Sequence, residues 1–285
     1  MKHLIITSSD RRYGDFLVDH WYRSLCDNVN LRGIDVGVLD YGLADVQRRR
    51  LEANGVLLHR CQADGNITNI RYRDMLEFLA TRNYNQVLAI DGGDIIFQAD
   101  IHCLFEQDQA TFRGVCEERD IPFHDLVLPQ TDMDRAEYQR MFDFLKGKPT
   151  VNGGVLFGPA AGFREMWKEF QEHCHSFNVF GTDQLIMNNF IYRNGFVALD
   201  QKYNFVVVAM NTQFQIREGV FYGLNGEVIP VVHNAGMQSM TRCIRKFGYG
   251  KDRNKRKWLT PFVLHSFFRL LNFYKRLRFG TQATV

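Results

Sequence analysis

The sequence lacks any long, uncharged apolar stretch. The first apolar segment, residues 4–7, is too short for a signal peptide, and no later segment of the 285 residues is long enough and free enough of charge to cross a bilayer. We therefore expect a cytoplasmic protein without a membrane span. A chain of this length can bury a large core in one α/β domain or in two small ones.

Cysteines are few and scattered. The six cysteines form no Cys-x-x-Cys motif and no cluster with histidine. This pattern argues against a zinc site and favours reduced thiols over a disulfide framework. Internal repeats and low-complexity segments are also missing from the sequence. The composition, with 45% hydrophobic and 24% charged residues, is that of an ordinary globular protein.

Acidic residues are almost absent from one part of the chain. Residues 241–285 carry twelve lysines and arginines and a single acid, Asp252, whereas residues 1–240 hold 23 basic and 31 acidic residues, a net charge of −8. Such a split indicates that the basic end meets an anionic surface. We predict a main domain over residues 1–240 and a basic extension over residues 241–285.

Short apolar runs alternate with segments of helical periodicity. The predicted strands cover residues 3–9, 33–39, 55–59, 87–90, 114–116, 151–159, 196–199, 205–209 and 228–233. The predicted helices cover residues 16–25, 43–53, 71–80, 135–145, 161–174 and 184–192. This alternation predicts an α/β domain with a largely parallel central sheet, and a first strand that feeds a loop and a helix is a common place to hold a nucleotide.

Two acids follow the apolar run of residues 87–90. Asp91 and Asp94 are separated by Gly92 and Gly93, and a second apolar run follows at once. The glycines allow a tight turn, so that both carboxylates can face one small space. Two like charges at this distance repel each other unless a cation lies between them, and oxygen ligands suit Mg²⁺ or Mn²⁺. The alternative is a surface turn, in which Asp and Gly are common.

Several motifs in order resemble a known family of nucleotide-sugar glycosyltransferases. They are, in chain order, NIRYRDMLEFLA, VLAIDGGDIIFQADI, VNGGVLFGP, GTDQLIMN and VVHNAG. Together they are similar to the glycosyltransferases of the GT-A fold, most of all to family eight, the retaining galactosyl- and glucosyltransferases. The resemblance covers about residues 1–240 and implies a Rossmann-like domain with a mixed, mostly parallel central sheet.

The resemblance implies three metal ligands, Asp91, Asp94 and His233. The family's metal motif is Asp-x-Asp, and the spacing here is one residue longer. A neutral imidazole suits Mn²⁺ as a third ligand. Without the family, His233 is better explained as a hydrogen-bonded residue at a strand end.

The resemblance also implies residues that meet the donor sugar. Asn152 and Gly154 would contact it from the strand, with an ordinary kink of the sheet as the alternative. Asp183 and Gln184 would lie across the sugar from the metal and contact its hydroxyls or its reacting face. A helix cap is the alternative for Asp183, and the two roles are compatible.

The remaining site residues are implied for the nucleotide and the diphosphate. Arg73, or else Arg71, matches the family's arginine before the central strand and would pair with the diphosphate or the donor sugar. Thr7, Ser8 and Asp10 would contact the base and the ribose. The alternatives are a solvated helix charge for the arginine and a simple strand-end loop for the other three.

The resemblance implies a metal-dependent transferase that moves a sugar, with retention, from a nucleotide-sugar to an acceptor. UDP is the expected nucleotide, and a lipopolysaccharide core or another surface-glycan precursor is the expected acceptor. No nucleic-acid partner is expected. Two other functions stay open. One is a phosphotransferase with Asp91 as the nucleophile, and the other is a non-catalytic sugar- or membrane-binding protein on a degenerate transferase fold.

The basic extension contains a predicted amphipathic helix over residues 262–279. Its polar residues fall at helical spacing and leave a broad apolar face, and the basic run of residues 242–257 precedes it. This pattern is typical of a helix that lies on an anionic bilayer. We therefore expect peripheral attachment to the inner face of the cytoplasmic membrane. The alternatives are a helix packed on the core and a basic nucleic-acid patch.

Overall fold

The computed structural model describes residues 2–117, 133–208, 214–236 and 242–257, and the single residues Ser266, Leu270 and Phe273. Its strands are β1 (His3–Ser9), β2 (Ile34–Asp40), β3 (Leu57–Arg60), β4 (Gln86–Ile90), β5 (Ile95–Phe97), β6 (Phe112–Cys116), β7 (Val151–Pro159), β8 (Phe196–Ala198), β9 (Phe205–Val206), β10 (Phe214–Arg217), β11 (Val220–Gly223), β12 (Val231–His233), β13 (Ile244–Arg245) and β14 (Lys255–Arg256).

The helices lie between these strands. The first helix has three consecutive segments, Gly14–Phe16, Leu17–Tyr22 and Arg23–Asn28, and the middle one is π-helical. The longer α-helices that follow are Asp45–Glu52, Ile67–Ala80, Arg135–Phe144, Ala160–His173 and Thr182–Asn194, with short 3₁₀ turns at His102–Phe105 and Gln201–Asn204. Asn66 caps the helix Ile67–Ala80, since its side chain accepts a hydrogen bond from the backbone N–H of Thr68.

The central sheet has seven strands in the order β3-β2-β1-β4-β7-β6-β8. Strands β1 to β4 run parallel, β7 runs antiparallel to both of its neighbours, and β6 pairs in parallel with β8. One reversed strand therefore lies inside an otherwise parallel sheet. Because β7 is reversed, its first residues lie beside the carboxyl end of β4, where ligands bind in open α/β sheets. The predicted α/β fold with a mixed, mostly parallel sheet is confirmed.

Apolar side chains cover both faces of the central sheet. Leu4 and Ile6 of β1 belong to a core shared with the helices Ile67–Ala80 and Ala160–His173, and Ile5 belongs to the core under the first helix. This alternation follows from the two-residue period of a strand. Because both faces are covered, β4 is almost wholly apolar, which explains why its sequence is a short apolar run.

A smaller sheet in the order β5-β12-β9 lies beside the central one. It shares a third core with the hairpin β10–β11 and with residues 243 and 244. Phe247 also stacks on Phe16 of the first helix. Residues 242–257, which begin the predicted basic extension, therefore pack on the main domain. The division of the chain at residue 240 stays a prediction.

The sequence did not predict the hairpins β10–β11 and β13–β14, and it predicted the helix Ile67–Ala80 four residues too short. The predicted helix over residues 262–279 falls mostly outside the described residues. Ser266, Leu270 and Phe273 are helical, and the side chains of Leu270 and Phe273 are exposed. Within the part of the chain that the structure describes, no helix is long and apolar enough to span a bilayer.

Candidate metal centre

The two acids of the Asp-x-x-Asp motif are positioned by the end of β4. The N–H of Asp91 donates to the carbonyl of Gly154 at 2.9 Å, so the pairing with β7 continues one residue past the strand. Gly92 and Gly93 then make a close turn. A Cβ atom on Gly92 would lie 2.5 Å from Thr7 Oγ1, and one on Gly93 would lie 2.9 Å from the Tyr13 ring. Glycine at both positions is required by this close approach.

His233 reaches the acids through the small sheet. Strand β12 pairs antiparallel with β5, which places His233 opposite Ile95, and the N–H of Asn234 donates to the carbonyl of Asp94 at 2.9 Å. The Nε2 atom of His233 lies 3.4 Å from Asp94 Oδ1 and 3.9 Å from Asp91 Oδ2. One ligand atom from each of the three residues falls within 4.8 Å of the others.

A chain of amides fixes the imidazole. His233 Nδ1 lies 2.9 Å from Asn204 Oδ1, the side-chain nitrogen of Asn204 donates to Asn152 Oδ1 at 3.0 Å, and that of Asn152 donates to the Glu117 carboxylate. Since the Asn204 oxygen can only accept, Nδ1 carries the proton, and in the neutral imidazole the lone pair of Nε2 faces the acids. Metal-bound histidines are oriented in this way by a second hydrogen bond.

The three side chains fit a divalent cation. Burial alone would lower the pKa of His233, but the Asp94 and Asp91 carboxylates raise this pKa above its ordinary value, so the pocket favours positive charge. The space beside them depends on Gly154, because a Cβ there would lie 2.6 Å from His233 Cε1 and 2.9 Å from Asp91 Oδ2. Two carboxylates and a neutral imidazole suit Mn²⁺, and Mg²⁺ accepts the same oxygens.

Arg71 is the arginine that belongs to this cluster. Its Nη1 lies 2.5 Å from Asp91 Oδ1, and its Nη2 lies 3.2 Å from the Gly153 carbonyl and 3.5 Å from Asp183 Oδ2. Burial alone would lower the pKa of Arg71, but neighbouring Tyr72 and the Asp91 and Asp183 carboxylates keep this pKa above its ordinary value. The Arg71 charge therefore links the metal-site acid to Asp183.

Arg73, the first choice from the sequence, lies elsewhere. Its guanidinium pairs with Asp64 at 2.9 Å and with Asp74 at 2.7 Å. The two arginines are two positions apart on a helix of 3.6 residues per turn, so they point in different directions. Of the two arginines that the sequence offered for the diphosphate or the donor sugar, Arg71 lies at the Asp91 carboxylate and Arg73 does not, and the role itself stays a prediction.

Asp183 and Gln184 lie at the start of the helix Thr182–Asn194. The backbone N–H of Asp183 donates to Asn69 Oδ1 at 3.0 Å, and burial raises the pKa of the Asp183 carboxyl to about 6 although the Arg71 charge opposes this. Gln184 donates to the Val151 carbonyl and accepts from the Gly153 N–H at 3.3 Å. Gln184 therefore holds the first residues of β7 against this helix. The Asp183 carboxylate faces the Arg71 guanidinium.

The residues predicted for the nucleotide lie at the carboxyl end of β1. Thr7 is buried and lies under Gly92, and its hydroxyl oxygen has no hydrogen-bond partner among the described residues. Ser8 is partly exposed. Asp10 accepts hydrogen bonds from the N–H groups of Arg12 and Tyr13 at 2.9 and 3.1 Å. Asp10 therefore shapes the turn that leads into the first helix.

Sequence reasoning missed four residues at this site: Tyr13, Glu117, Asn204 and Arg242. Arg242 Nη2 lies 3.1 Å from Asp94 Oδ2, and its guanidinium lies 6.0 Å from the centre of the Tyr13 ring. Nothing in the local sequence marks these residues, because each reaches the site through a long-range contact. In the sequence, Arg242 is marked only as part of a basic run.

Comparisons with known proteins identify the fold. No protein-family model matches the chain, and the search of curated proteins finds no match. The galactosyltransferase LgtC, solved with donor and acceptor sugar analogues, aligns over 95% of both chains with a TM-score of 0.57 and 15% identity.

Two further solved glycosyltransferases share the fold. GlyE of Streptococcus pneumoniae TIGR4 aligns with all of this chain and 66% of its own, with a TM-score of 0.54 and 16% identity. The bifunctional WbbM aligns over 84% of this chain and 46% of its own, with a TM-score of 0.55 and 17% identity. The predicted glycosyltransferase fold is thereby confirmed.

Proposed function

We propose that this protein is a glycosyltransferase that moves a sugar from a nucleotide-sugar to a hydroxyl of an acceptor, with Mn²⁺ or Mg²⁺ held by Asp91, Asp94 and His233. The observation that carries the proposal is this triad at the carboxyl end of β4. It lies in a fold shared with LgtC, whose solved complex holds donor and acceptor sugar analogues. We further propose UDP as the nucleotide and retention at the anomeric carbon, as the resemblance to family eight implies.

When bound, the metal ion supplies positive charge that makes a nucleoside diphosphate a better leaving group. The surrounding side chains prepare the place for it. Arg71 holds one oxygen of Asp91 at 2.5 Å, which leaves Oδ2 directed toward His233. Asn204 fixes the imidazole, and Gly154 keeps the space beside it open. The carboxylates and the imidazole are therefore oriented before a ligand arrives, which lowers the cost of binding.

The donor sugar is assigned to the space bounded by the start of β7 and the start of the helix Thr182–Asn194. Glycine at positions 153 and 154 lets a ligand approach the backbone closely. We assign contacts with the sugar hydroxyls to Asp183 and Asn152, with Gln184 as the residue that holds β7 in place. In this arrangement Asp183 orients the sugar, and the leaving phosphate assists attack by the acceptor hydroxyl on the same face.

The nucleotide is assigned to the loop after β1. The buried hydroxyl of Thr7, without a partner among the described residues, and the partly exposed Ser8 offer polar groups to the base and the ribose. Asp10 supports the loop through its two backbone hydrogen bonds. A nucleotide here would lie at the carboxyl end of the parallel strands, the usual position in α/β sheets.

The acceptor is proposed to be a glycan or glycolipid at the cytoplasmic face of the membrane, such as a lipopolysaccharide core or another surface-glycan precursor. The basic residues 242–257 and the exposed apolar side chains of Leu270 and Phe273 support a position on an anionic surface. Positive charge beside exposed apolar groups favours binding to a bilayer surface.

Thermal unfolding with a panel of nucleotide-sugars, with and without Mn²⁺, tests the proposal. A ligand that binds the folded state raises the melting temperature. One donor should stabilise the wild type only when Mn²⁺ is present, and the Asp94→Ala variant should lose this effect. Asp27→Asn removes an exposed carboxylate from the first helix and should behave like the wild type.

Product analysis then separates the three functions. Transfer of the sugar to an acceptor, with the anomeric configuration followed by NMR, supports a retaining transferase. A donor that binds with metal but is never consumed would indicate a non-catalytic sugar-binding protein. A phosphorylated Asp91 after incubation with a phosphate donor would indicate a phosphotransferase.

A further inference from the structure

Arg242 places a positive charge on the carboxylate that is assigned to the metal. Its Nη2 lies 3.1 Å from Asp94 Oδ2, while the other oxygen of Asp94 faces His233 Nε2 at 3.4 Å. One side of this carboxylate therefore meets the guanidinium and the other side meets the imidazole. The side chain of Asp94 is only 15% exposed, so the contact with Arg242 is poorly screened by solvent.

The guanidinium is held by two further contacts. Arg242 Nε donates to the Gly236 carbonyl at 2.9 Å, and the guanidinium lies over the Tyr13 ring. Tyr13 in turn packs on Gly93 of the Asp-x-x-Asp turn. The residues that follow, Cys243 and Ile244, are buried in the third core. The backbone beside Arg242 is thus anchored, and its long side chain reaches from that anchor to the site.

A metal ion and a guanidinium compete for Asp94. An ion on Asp94 and His233 would lie close to the Arg242 charge, and like charges at short distance repel in a poorly solvated site. A nucleoside diphosphate changes the balance, because two of its oxygens can accept parallel hydrogen bonds from the planar guanidinium. Arg242 therefore weakens the binding of the metal alone and strengthens the binding of the metal together with a diphosphate.

We propose that Arg242 neutralises Asp94 in the absence of metal and binds the diphosphate of the donor when metal is present. The inference rests on the proposed function, and it adds a coupling between the two ligands. Arg242 makes occupation of the site by metal alone unfavourable and occupation by metal and nucleotide together favourable. Such a coupling typically changes affinity by about 5- to 150-fold.

Titration calorimetry on the full chain, stripped of metal with EDTA, tests this coupling with the variant Arg242→Gln. Mn²⁺ alone should bind the variant more tightly than the wild type, by about tenfold. UDP added at saturating Mn²⁺ should bind the variant more weakly, by a similar factor. Opposite signs in the two titrations are the expected signature, since a merely structural role would weaken both.

Two matched variants separate position from charge. Arg245→Gln removes the same charge from an exposed position in the same segment and should leave both affinities unchanged. Arg242→Lys keeps the charge but loses the planar two-point contact, so its Mn²⁺ affinity should stay near the wild-type value and its UDP affinity should fall. If Arg242→Gln does not fold, as judged by circular dichroism, the Arg242→Lys titrations decide the question.

Equal or weaker Mn²⁺ binding by a folded Arg242→Gln variant overturns the inference, as does an unchanged UDP affinity. A wild-type protein that binds Mn²⁺ and UDP, with variants that do not differ from it, leaves the proposed function standing and refutes only the role of Arg242. A wild-type protein that binds neither refutes both.

Discussion

Two regions of this molecule concentrate charge in opposite ways. At the carboxyl end of β4, the charged side chains are mostly covered and face one another, and the side chain of Arg71 is only 14% exposed. We call this region the acidic edge, defined by Asp91, Asp94, Asp183, Arg71 and His233. Its charges are held by hydrogen bonds from four different segments of the chain.

The second region consists of two open grooves lined by residues 249–256, here called the basic grooves. One, of about 770 Å³, lies against the first helix, and the other, of about 640 Å³, lies against the hairpin β10–β11. Lys251 and Arg253 line both of them, and the Lys251 side chain is 85% exposed. Its contact with Glu218 at 3.8 Å is the kind of surface pair that contributes little.

The difference between the two regions teaches what each can bind. Fixed, buried charges select a ligand of one geometry and respond to pH, because their protonation is coupled to folding. Exposed, mobile charges attract any anionic surface and respond to salt. This difference supports the proposed metal–diphosphate complex at the acidic edge and the proposed anionic membrane or glycan at the basic grooves.

The largest expected effect concerns the pH dependence that Asp183 gives to folding. The ordinary pKa of 3.8 applies to the unfolded chain, and burial raises the folded value to about 6. Between these two values the unfolded chain loses the proton while the folded chain keeps it, so the free energy of unfolding falls as pH rises. The fall can reach about 3 kcal/mol and is complete above the folded pKa.

Urea unfolding of the wild type and Asp183→Asn in EDTA, from pH 4 to pH 7, measures this contribution. The variant lacks the carboxyl, so its stability relative to the wild type should increase with pH across that window and then level off. Parallel curves for the two proteins would show that burial does not raise the pKa of Asp183. The contrast between a buried acidic edge and exposed basic grooves would then lose its main support.

An intermediate effect is expected at Asn204, which contacts His233 but is not one of the proposed metal ligands. Asn204→Ala removes the acceptor for Nδ1 and frees the imidazole to rotate, so Mn²⁺ affinity should fall by about 10- to 100-fold. Asn204→Asp keeps an acceptor at the same place and should retain most of the affinity. Calorimetric titration with Mn²⁺ measures both variants, and equal losses in the two would contradict the orienting role.

The smallest effect per residue is expected in the basic grooves. Each positive charge near an anionic bilayer contributes about 1 kcal/mol, so the double variant Lys251→Gln, Arg253→Gln should bind vesicles containing phosphatidylserine more weakly by about 2 kcal/mol at low salt. High salt should remove the difference. Lys168→Gln with Arg140→Gln, at exposed positions outside the grooves, is the matched control.

Vesicle sedimentation and a donor titration should be run on the same protein samples. The groove variant should keep the affinity of the wild type for nucleotide and metal, since Lys251 and Arg253 line the grooves and are not part of the acidic edge. Unchanged vesicle binding would remove the membrane from the proposed function, and a change in donor affinity would show that the two regions are not independent.

The sequence alone predicted the strands of the central sheet and the longer helices between them, and with them the fold class. Period-two and period-3.6 patterns depend on which face of an element is covered, and this is encoded locally. The same holds for the position of Asp91 and Asp94, because a buried apolar run that ends in acids and glycines defines the carboxyl end of a strand. The placement of His233 at the end of β12 followed from the same reasoning.

Only the tertiary structure decided how these residues meet. The choice between Arg71 and Arg73 depends on the rotation of the helix Ile67–Ala80 about its axis, which packing determines. Asn204, far from Asn152 and His233 in sequence, joins them because a 3₁₀ turn is placed beside β7 and β12. Arg242 reaches Asp94 across 148 positions of the chain. Local patterns do not specify such contacts, since their energies arise only when the folded chain brings distant segments together.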